Sequence, residues 1–183
     1  VTACVVDTNV LVIANQRNSE AEKRCRRDCI RKCRRDCIRK LRELVKNGVV
    51  VLDKKGEIFN EYKSAVPKST WAIGREFIIH LYNHREDPQR CELVPLTKNN
   101  TRGYGKFPKD KKLRKFPRKD RKFVAVAIAS PRKPPICHAT DWAWWGYKNA
   151  LGKHCVTIEH LCNHLAPTAE KIARKMRRQR SFR

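Results

Sequence analysis

A few short apolar runs most constrain what this chain can fold into. VTACVV at Val1 to Val6, VVVLD at Val49 to Asp53, PPICHATD at Pro134 to Asp141 and CVTIEHL at Cys155 to Leu161 are rich in β-branched residues and bounded by turn-forming or polar residues. Runs of that length and composition read as strands buried on both faces. CELVPLT, from Cys91 to Thr97, is a weaker example. Helical patterns lie between them. A helix starts after Asp7-Thr8-Asn9. A long basic helix runs from Ser19, where SEAE resembles a capping box, to Lys46, and Asn47-Gly48 stops it. EIFNEYKSAV starts a helix at Glu57 that ends before Pro67, and Ser69 to Tyr82 reads as another. Asp120 to Ser130 places Phe123, Val124, Ala127 and Ile128 on one side of a helix. Strands alternating with helices predict an α/β domain around a parallel sheet. Ligands bind such sheets beyond the carboxyl ends of the strands. Asp7 and Asp141 each follow a predicted strand directly, so both belong on one rim.

The chain of 183 residues is long enough for one domain with a core, taken as residues 1–165, followed by a basic helix or tail over 166–183. Its 43 Lys and Arg against 18 Asp and Glu give a formal charge of +25, which predicts attraction to polyanions. Nucleic acid is the leading partner, because each neutralised phosphate releases counterion. An anionic membrane surface is the lesser reading, and no apolar run is long enough to span a bilayer. The nine cysteines are odd in number and none sits in a CxxC pair. No secretory leader is visible, and the cysteines are expected to be reduced thiols in a cytoplasmic protein.

CRRDCIRK occurs twice in tandem, from Cys25 to Lys40. On a helix, an eight-residue repeat drifts by about 80° per copy, so the copies present different faces. The stripe that survives is Ile30, Cys33, Cys37, Leu41 and Leu44, at steps of three and four, with Arg27, Arg31, Arg35, Arg39 and Arg42 on the far side. Cysteine behaves there as a small apolar residue. The repeat is therefore expected to be a packed helix with arginines in water. Zinc binding by Cys29 and Cys33 lacks a second pair at zinc spacing, and a phosphate-contacting arginine face is the remaining alternative.

The carboxylates are more informative. Asp7 and Asp141 lie at strand ends, Asp120 opens a helix and Glu61 lies within one. A carboxylate cluster suits hard, oxygen-loving cations such as Mg²⁺ or Mn²⁺. Beside a basic surface, that chemistry fits metal-assisted phosphodiester hydrolysis. Each acid also has an ordinary reading: Asp7, Asp120 and Asp141 as caps, and Glu61 as a surface charge paired with a lysine.

VVDTNVLV at Val5 to Val12, GEIFNEY at Gly56 to Tyr62, DRKFVAVAIAS at Asp120 to Ser130 and ATD at Ala139 to Asp141 resemble, in order, the acidic motifs of PIN-domain nucleases. The resemblance covers about residues 1 to 165. It implies a three-layer α/β/α sandwich with a central parallel sheet of about five strands. It also implies an Mg²⁺- or Mn²⁺-dependent nuclease acting on RNA or, less often, DNA. By it, Asp7, Glu61, Asp120 and Asp141 are the catalytic metal-binding acids, with Asn9 and Thr140 as supporting polar residues. Glu57, one turn before Glu61, is the alternative ligand; Glu61 is preferred because it precedes Tyr62, as in similar sequences. The chain departs from the pattern at Ala143, where many such domains carry another acid.

Asn99 to Lys119 reads as a Gly/Pro/Lys loop leading into Asp120. Between Arg102 and Lys122 there are eleven Lys or Arg and two Asp, interleaved with Tyr104, Phe107 and Phe116. Aromatics among cations suit single-stranded nucleic acid, so Lys109, Lys111, Lys112, Arg114, Lys115, Arg118, Lys119 and Lys122 are the candidate phosphate contacts. A solvated loop is the plain alternative. The tail KMRRQRSFR reads as an electrostatic tether. His154, Cys155, His160, Cys162 and His164 match no common zinc spacing and are expected in ordinary roles. Trp142, Trp144 and Trp145 are expected to pack on the domain surface.

The reading is a PIN-like metal-dependent endonuclease, RNA favoured, of bacterial toxin or defence type. A protein inhibitor or complex partner, and a homodimer, are open. Its rivals are a nuclease for single-stranded DNA, a catalytically weak or inactive nucleic-acid-binding module on the same fold, and a zinc-binding interaction protein.

Overall fold

The computed structural model describes residues 2–15, 27–67, 72–166 and 171. In chain order the regular elements are β1 (Ala3–Val6), α1 (Thr8–Asn15), α2 (Arg27–Asn47), β2 (Val49–Asp53), α3 (Glu57–Ala65), α4 (Ile73–Asn83), β3 (Cys91–Val94), β4 (Lys98–Asn99), β5 (Gly103–Tyr104), α5 (Arg121–Ala129), β6 (Ile136–His138), α6 (Trp142–Gly152) and β7 (Ile158–His160). The capping box at Ser19 to Glu22, the expected starts of α2 and α4, and the tail apart from Ala166 and Lys171 lie outside the described residues.

Five strands form one parallel sheet in the order β3-β2-β1-β6-β7. All five residues of β2 are buried, as the apolar run predicts. The order reverses at β1: the chain steps outward through β2 and β3, then returns to β1's other side for β6 and β7. Right-handed crossovers then put α1 to α4 on one face and α5 and α6 on the other. Packing agrees, since α1 touches α2, α3 and α4, α5 lies over β1, β2 and β6, and α6 meets β7. The result is the expected three-layer α/β/α sandwich, and one hydrophobic cluster runs through it from Cys4 to Cys162. The gap between β1 and β6 is the topological switch point, where the crossovers diverge and leave a crevice.

The duplicated helix behaves as its periodicity predicts. Ile30, Cys33, Cys37, Leu41 and Leu44 are buried, while Arg31, Arg35, Arg39 and Arg42 are exposed. Gly48 ends α2 by donating to Leu44 O at 2.9 Å. Any side chain there would meet the Leu44 backbone at 2.7 Å.

Four expectations are corrected. First, β6 stops at His138, so Asp141 does not follow the strand directly. Asn9 Oδ1 takes the Thr140 N–H at 2.9 Å, and Asp141 turns to cap α6. Second, α6 itself was not expected, and Trp144 is fully buried rather than on the surface. Third, the loop aromatics are not available for stacking on bases. Tyr104, Phe107 and Phe116 are buried, with Phe116 edge-on to Trp144 and Tyr147 at 5.2 and 5.3 Å between ring centres. The segment also holds the β4–β5 hairpin and short 3₁₀ turns at Lys111–Leu113 and Arg118–Asp120. Fourth, the cysteines are not all reduced thiols: Cys4 pairs with Cys137 and Cys33 with Cys162 as disulfides. Adjacent strands bring the first pair together, and packing of α2 on the turn after β7 brings the second. Among the described residues, no helix is long and apolar enough to cross a membrane.

Candidate active site

Asp7 leaves the carboxyl end of β1 at the switch point. Its backbone N–H still bonds Cys137 O across to β6 at 2.9 Å, so the side chain is set by the sheet. The carboxylate is buried and accepts the Trp144 indole N–H at 3.0 Å. Asp141 stands at the start of α6, accepting the Ala143 N–H at 2.9 Å; its capping role is real and does not remove it from the crevice. Glu61 reaches in from α3. Thr8 Oγ1 donates to Glu61 Oε1 at 2.6 Å, and Lys122 Nζ forms an ion pair with Oε2. Tyr62 OH donates to Val6 O, which fastens α3 to the end of β1.

Asp120 precedes α5. It is buried, yet its carboxylate does not cap α5, and among the described residues Oδ2 has no hydrogen-bond partner. Asp53 shows what a purely structural acid looks like in this fold. It too is buried at a strand end, but its oxygens take the Glu57 and Ile58 N–H groups, both at 2.8 Å.

The fold holds the four acids close enough to repel one another. Burial pushes the Asp7 carboxyl up to about 8, and the charges of Asp120, Asp141 and Glu61 add to it against the Trp144 hydrogen bond. Asp120 rises to about 7, through burial first and then Asp141 and Glu61, opposed by Lys119 and Lys122. Carboxylates drawn from four separate elements and both helical layers therefore share one field. Glu57 does not belong to it. It accepts from Lys98 Nζ and Tyr104 OH, both at 2.6 Å, and these bonds outweigh its partial burial and lower its pKa. Glu61 is the glutamate in the cluster.

Asn9 and Thr140 are joined, since Asn9 Oδ1 accepts from both Thr140 N and Oγ1, at 2.9 and 3.2 Å. These bonds tie the start of α1 to the loop carrying Asp141. Sequence reading missed Thr8, Trp144 and the inward role of Lys122. Recognising a helix after Asp141 would have placed Trp144 one turn along it, on the same face.

The cations divide into two kinds. Lys109, Lys111, Lys112, Arg114, Arg118 and Lys119 are exposed, and Lys115 is half-buried. Lys122 instead is largely covered and paired with Glu61, so it belongs to the acids rather than to an outer phosphate track. Arg121 is buried and organises the loop, donating to the carbonyls of Phe116, Arg102 and Arg114 at 3.2, 3.3 and 2.7 Å beneath the Phe107 ring. A cleft of about 830 Å³ opens there, lined by Arg102, Lys109, Lys111, Arg114 and Arg118 among others. None of the four acids lines it; it adjoins the cluster through Arg118 and Arg121, which flank Asp120.

The histidines and cysteines near the C-terminal end do not gather into one group. His154 meets Asp110 at 3.1 Å, His160 pairs with His138 and stacks on Trp145, and His164 bonds Cys29 O at 2.7 Å. The chain matches no protein-family model, and no curated protein or solved structure is significantly similar to it.

Proposed function

We propose that this chain is a PIN-like, divalent-metal-dependent endonuclease that hydrolyses phosphodiester bonds, preferentially in RNA. The observation that supports it most is the convergence of Asp7, Glu61, Asp120 and Asp141 at the switch point of a parallel sheet, in a chain with only 18 acids and a charge of +25. The donor set fits Mg²⁺ or Mn²⁺: the ligands are carboxylate oxygens, and Asp120 Oδ2 is buried with no hydrogen-bond partner among the described residues. A bound cation would activate water and stabilise the leaving oxygen. The chain's own residues do the rest. The Trp144 indole orients Asp7, Thr8 orients Glu61, and Lys122 offsets part of the cluster's negative charge. Asn9 and Thr140 hold the Asp141 loop against α1. The exposed cations around the adjoining cleft draw in the phosphate backbone without reading sequence.

A second reading is favoured by Ala143. It is buried, and its N–H donates to Asp141, so a position beside the cluster lacks the acid that PIN-like sites commonly carry. On that reading the fold binds nucleic acid and cuts slowly or not at all. Labelled RNA, single-stranded DNA and duplex DNA, each incubated with Mn²⁺, Mg²⁺ or EDTA, separate the two. The nuclease reading expects metal-dependent cleavage, fastest on RNA. Binding with no cleavage under any metal condition supports the binding module. A toxin or defence role, and an inhibitor to restrain it, follow only from the nuclease reading.

A further inference from the structure

The CRRDCIRK repeat and the Cys162-Asn163-His164 stretch each lack a full metal-ligand set in the sequence. The fold brings them together. α2 packs against the short turn Asn163–Leu165. Cys33 and Cys37, four residues apart, share a face of α2. The sulfurs of Cys33, Cys37 and Cys162 all lie within 4.8 Å of one another, in the buried interior. His164 is held against the same helix, its Nε2 at 2.7 Å from Cys29 O, one turn before Cys33.

We propose that, with its thiols reduced, this chain binds one structural zinc ion through Cys33, Cys37, Cys162 and His164, clamping the segment after β7 onto α2. Three sulfurs and an imidazole form a soft donor set with no carboxylate, which selects zinc over Mg²⁺ or Mn²⁺. Tetrahedral zinc with sulfurs at about 2.3 Å holds them about 3.8 Å apart, a spacing open to Cys33 and Cys162 only once the bond between them is reduced. His164 is exposed, and on this proposal it turns from the Cys29 carbonyl towards the sulfurs to complete the set. The ligand pattern, CxxxC on a helix with CxH brought in from far along the chain, is why neither stretch reads as a zinc site alone.

The Cys33–Cys162 disulfide is the oxidised alternative at the same place, since it joins the same two segments. A dithiol reductant would supply two electrons and two protons, becoming a disulfide itself and leaving Cys33 and Cys162 as thiols. Zinc then displaces the thiol protons to solvent and changes no oxidation state. This site is separate from the carboxylate cluster and does not depend on the nuclease reading.

The test uses the full chain, fully reduced, loaded with zinc and freed of excess. Metal analysis should find one zinc per chain, and cobalt in its place should show the absorption of a four-coordinate thiolate site. Cys37→Ser and Cys162→Ser should lose the metal, His164→Ala should weaken it by about tenfold or more, and Cys155→Ser, at an exposed free thiol, should keep it. If the serine variants misfold, the wild type still decides: removing zinc with a chelator should speed alkylation of Cys33, Cys37 and Cys162 and leave Cys155 unchanged. A reduced, folded wild type that retains no zinc overturns the proposal. So does a Cys162→Ser variant that retains as much zinc as the wild type.

Discussion

The carboxylate cluster and the loop that leads into it meet at Asp120 but are built in opposite ways. The acids are few, delivered one each from four elements and coupled to one another, with Asp7 and Asp120 buried and Glu61 and Asp141 half-buried. The loop's cations are many and mostly exposed, and the segment keeps its shape because Arg121 turns inward and collects three carbonyls. In a strongly basic chain an exposed lysine is replaceable by its neighbours, whereas a buried carboxylate is not. Changes to single acids should therefore act nearly all-or-none, and changes to cations should be graded.

The largest effect is expected from Asp120→Asn. If the cluster holds metal, cleavage should fall by about 10³-fold or more, equivalent to roughly 4 kcal/mol of lost transition-state stabilisation. The same variant should unfold at a higher temperature than the wild type at pH 8 without metal, because it removes a buried, repelled charge. An unchanged cleavage rate would take Asp120 out of the chemistry.

The pH dependence separates acids from cations further. Asp7 and Asp120 hold protons more tightly when folded than when unfolded, with values of about 8 and 7 against an ordinary 3.8. Below the ordinary value both states are protonated and nothing is lost. As pH rises from about 4 to about 8, the metal-free folded state should lose stability relative to the unfolded chain. Metal needs the ionised carboxylates, so stabilisation by Mn²⁺ should grow over the same window. Thermal melts across pH with Mn²⁺ and with EDTA check both trends. A Mn²⁺ effect independent of pH would separate the metal from these acids.

Arg121→Met is the corresponding break on the basic side. It leaves three carbonyls without their guanidinium donor while keeping much of the side-chain volume, and should cost about 2–4 kcal/mol in denaturant unfolding. A loss under about 0.5 kcal/mol would mean the loop does not depend on that arginine.

The smallest effects should come from the exposed cations. Neutralising Lys109, Lys111, Lys112, Arg114 and Lys115 should flatten the salt dependence of RNA binding, by about 0.7 in log–log slope for each phosphate that is no longer neutralised. Neutralising Arg31 and Arg35 on α2 should change it much less. Salt titrations of both variants on one labelled RNA compare them directly. A larger change from the helix variant would move the substrate track onto the duplicated helix.

The sequence and the structure agree where the signal is local. Strands announced themselves as apolar runs, and the inward stripe of α2 followed from steps of three and four. Asp7 and Asp141 could be assigned to one rim without knowing the topology, because parallel strands share their carboxyl ends. What stayed hidden depends on tertiary packing. Phe107 and Phe116 look like exposed stacking groups among lysines until Trp144 and Tyr147 pack on Phe116, and Phe116 and Arg121 on Phe107. Trp144 sits in an aromatic helix whose periodicity is weak, and its link to Asp7 spans 137 residues. Glu57 and Glu61 are separable only by their partners: Lys98 and Tyr104 for one, Thr8 and Lys122 for the other. The cysteine pairs join residues 133 and 129 apart, a separation at which spacing carries no information.

The most direct test of the central claim is Asp7→Asn beside the wild type, with one labelled RNA, measuring cleavage in Mn²⁺ and binding in EDTA on the same samples. The account predicts that the wild type cuts only with metal. It predicts that the variant does not cut, and that its RNA affinity is equal to the wild type's where Asp7 is protonated, and higher above about pH 8, where the wild type carries the charge the variant lacks. A variant that cuts as fast as the wild type, or a wild type that cuts equally well in EDTA, would contradict it.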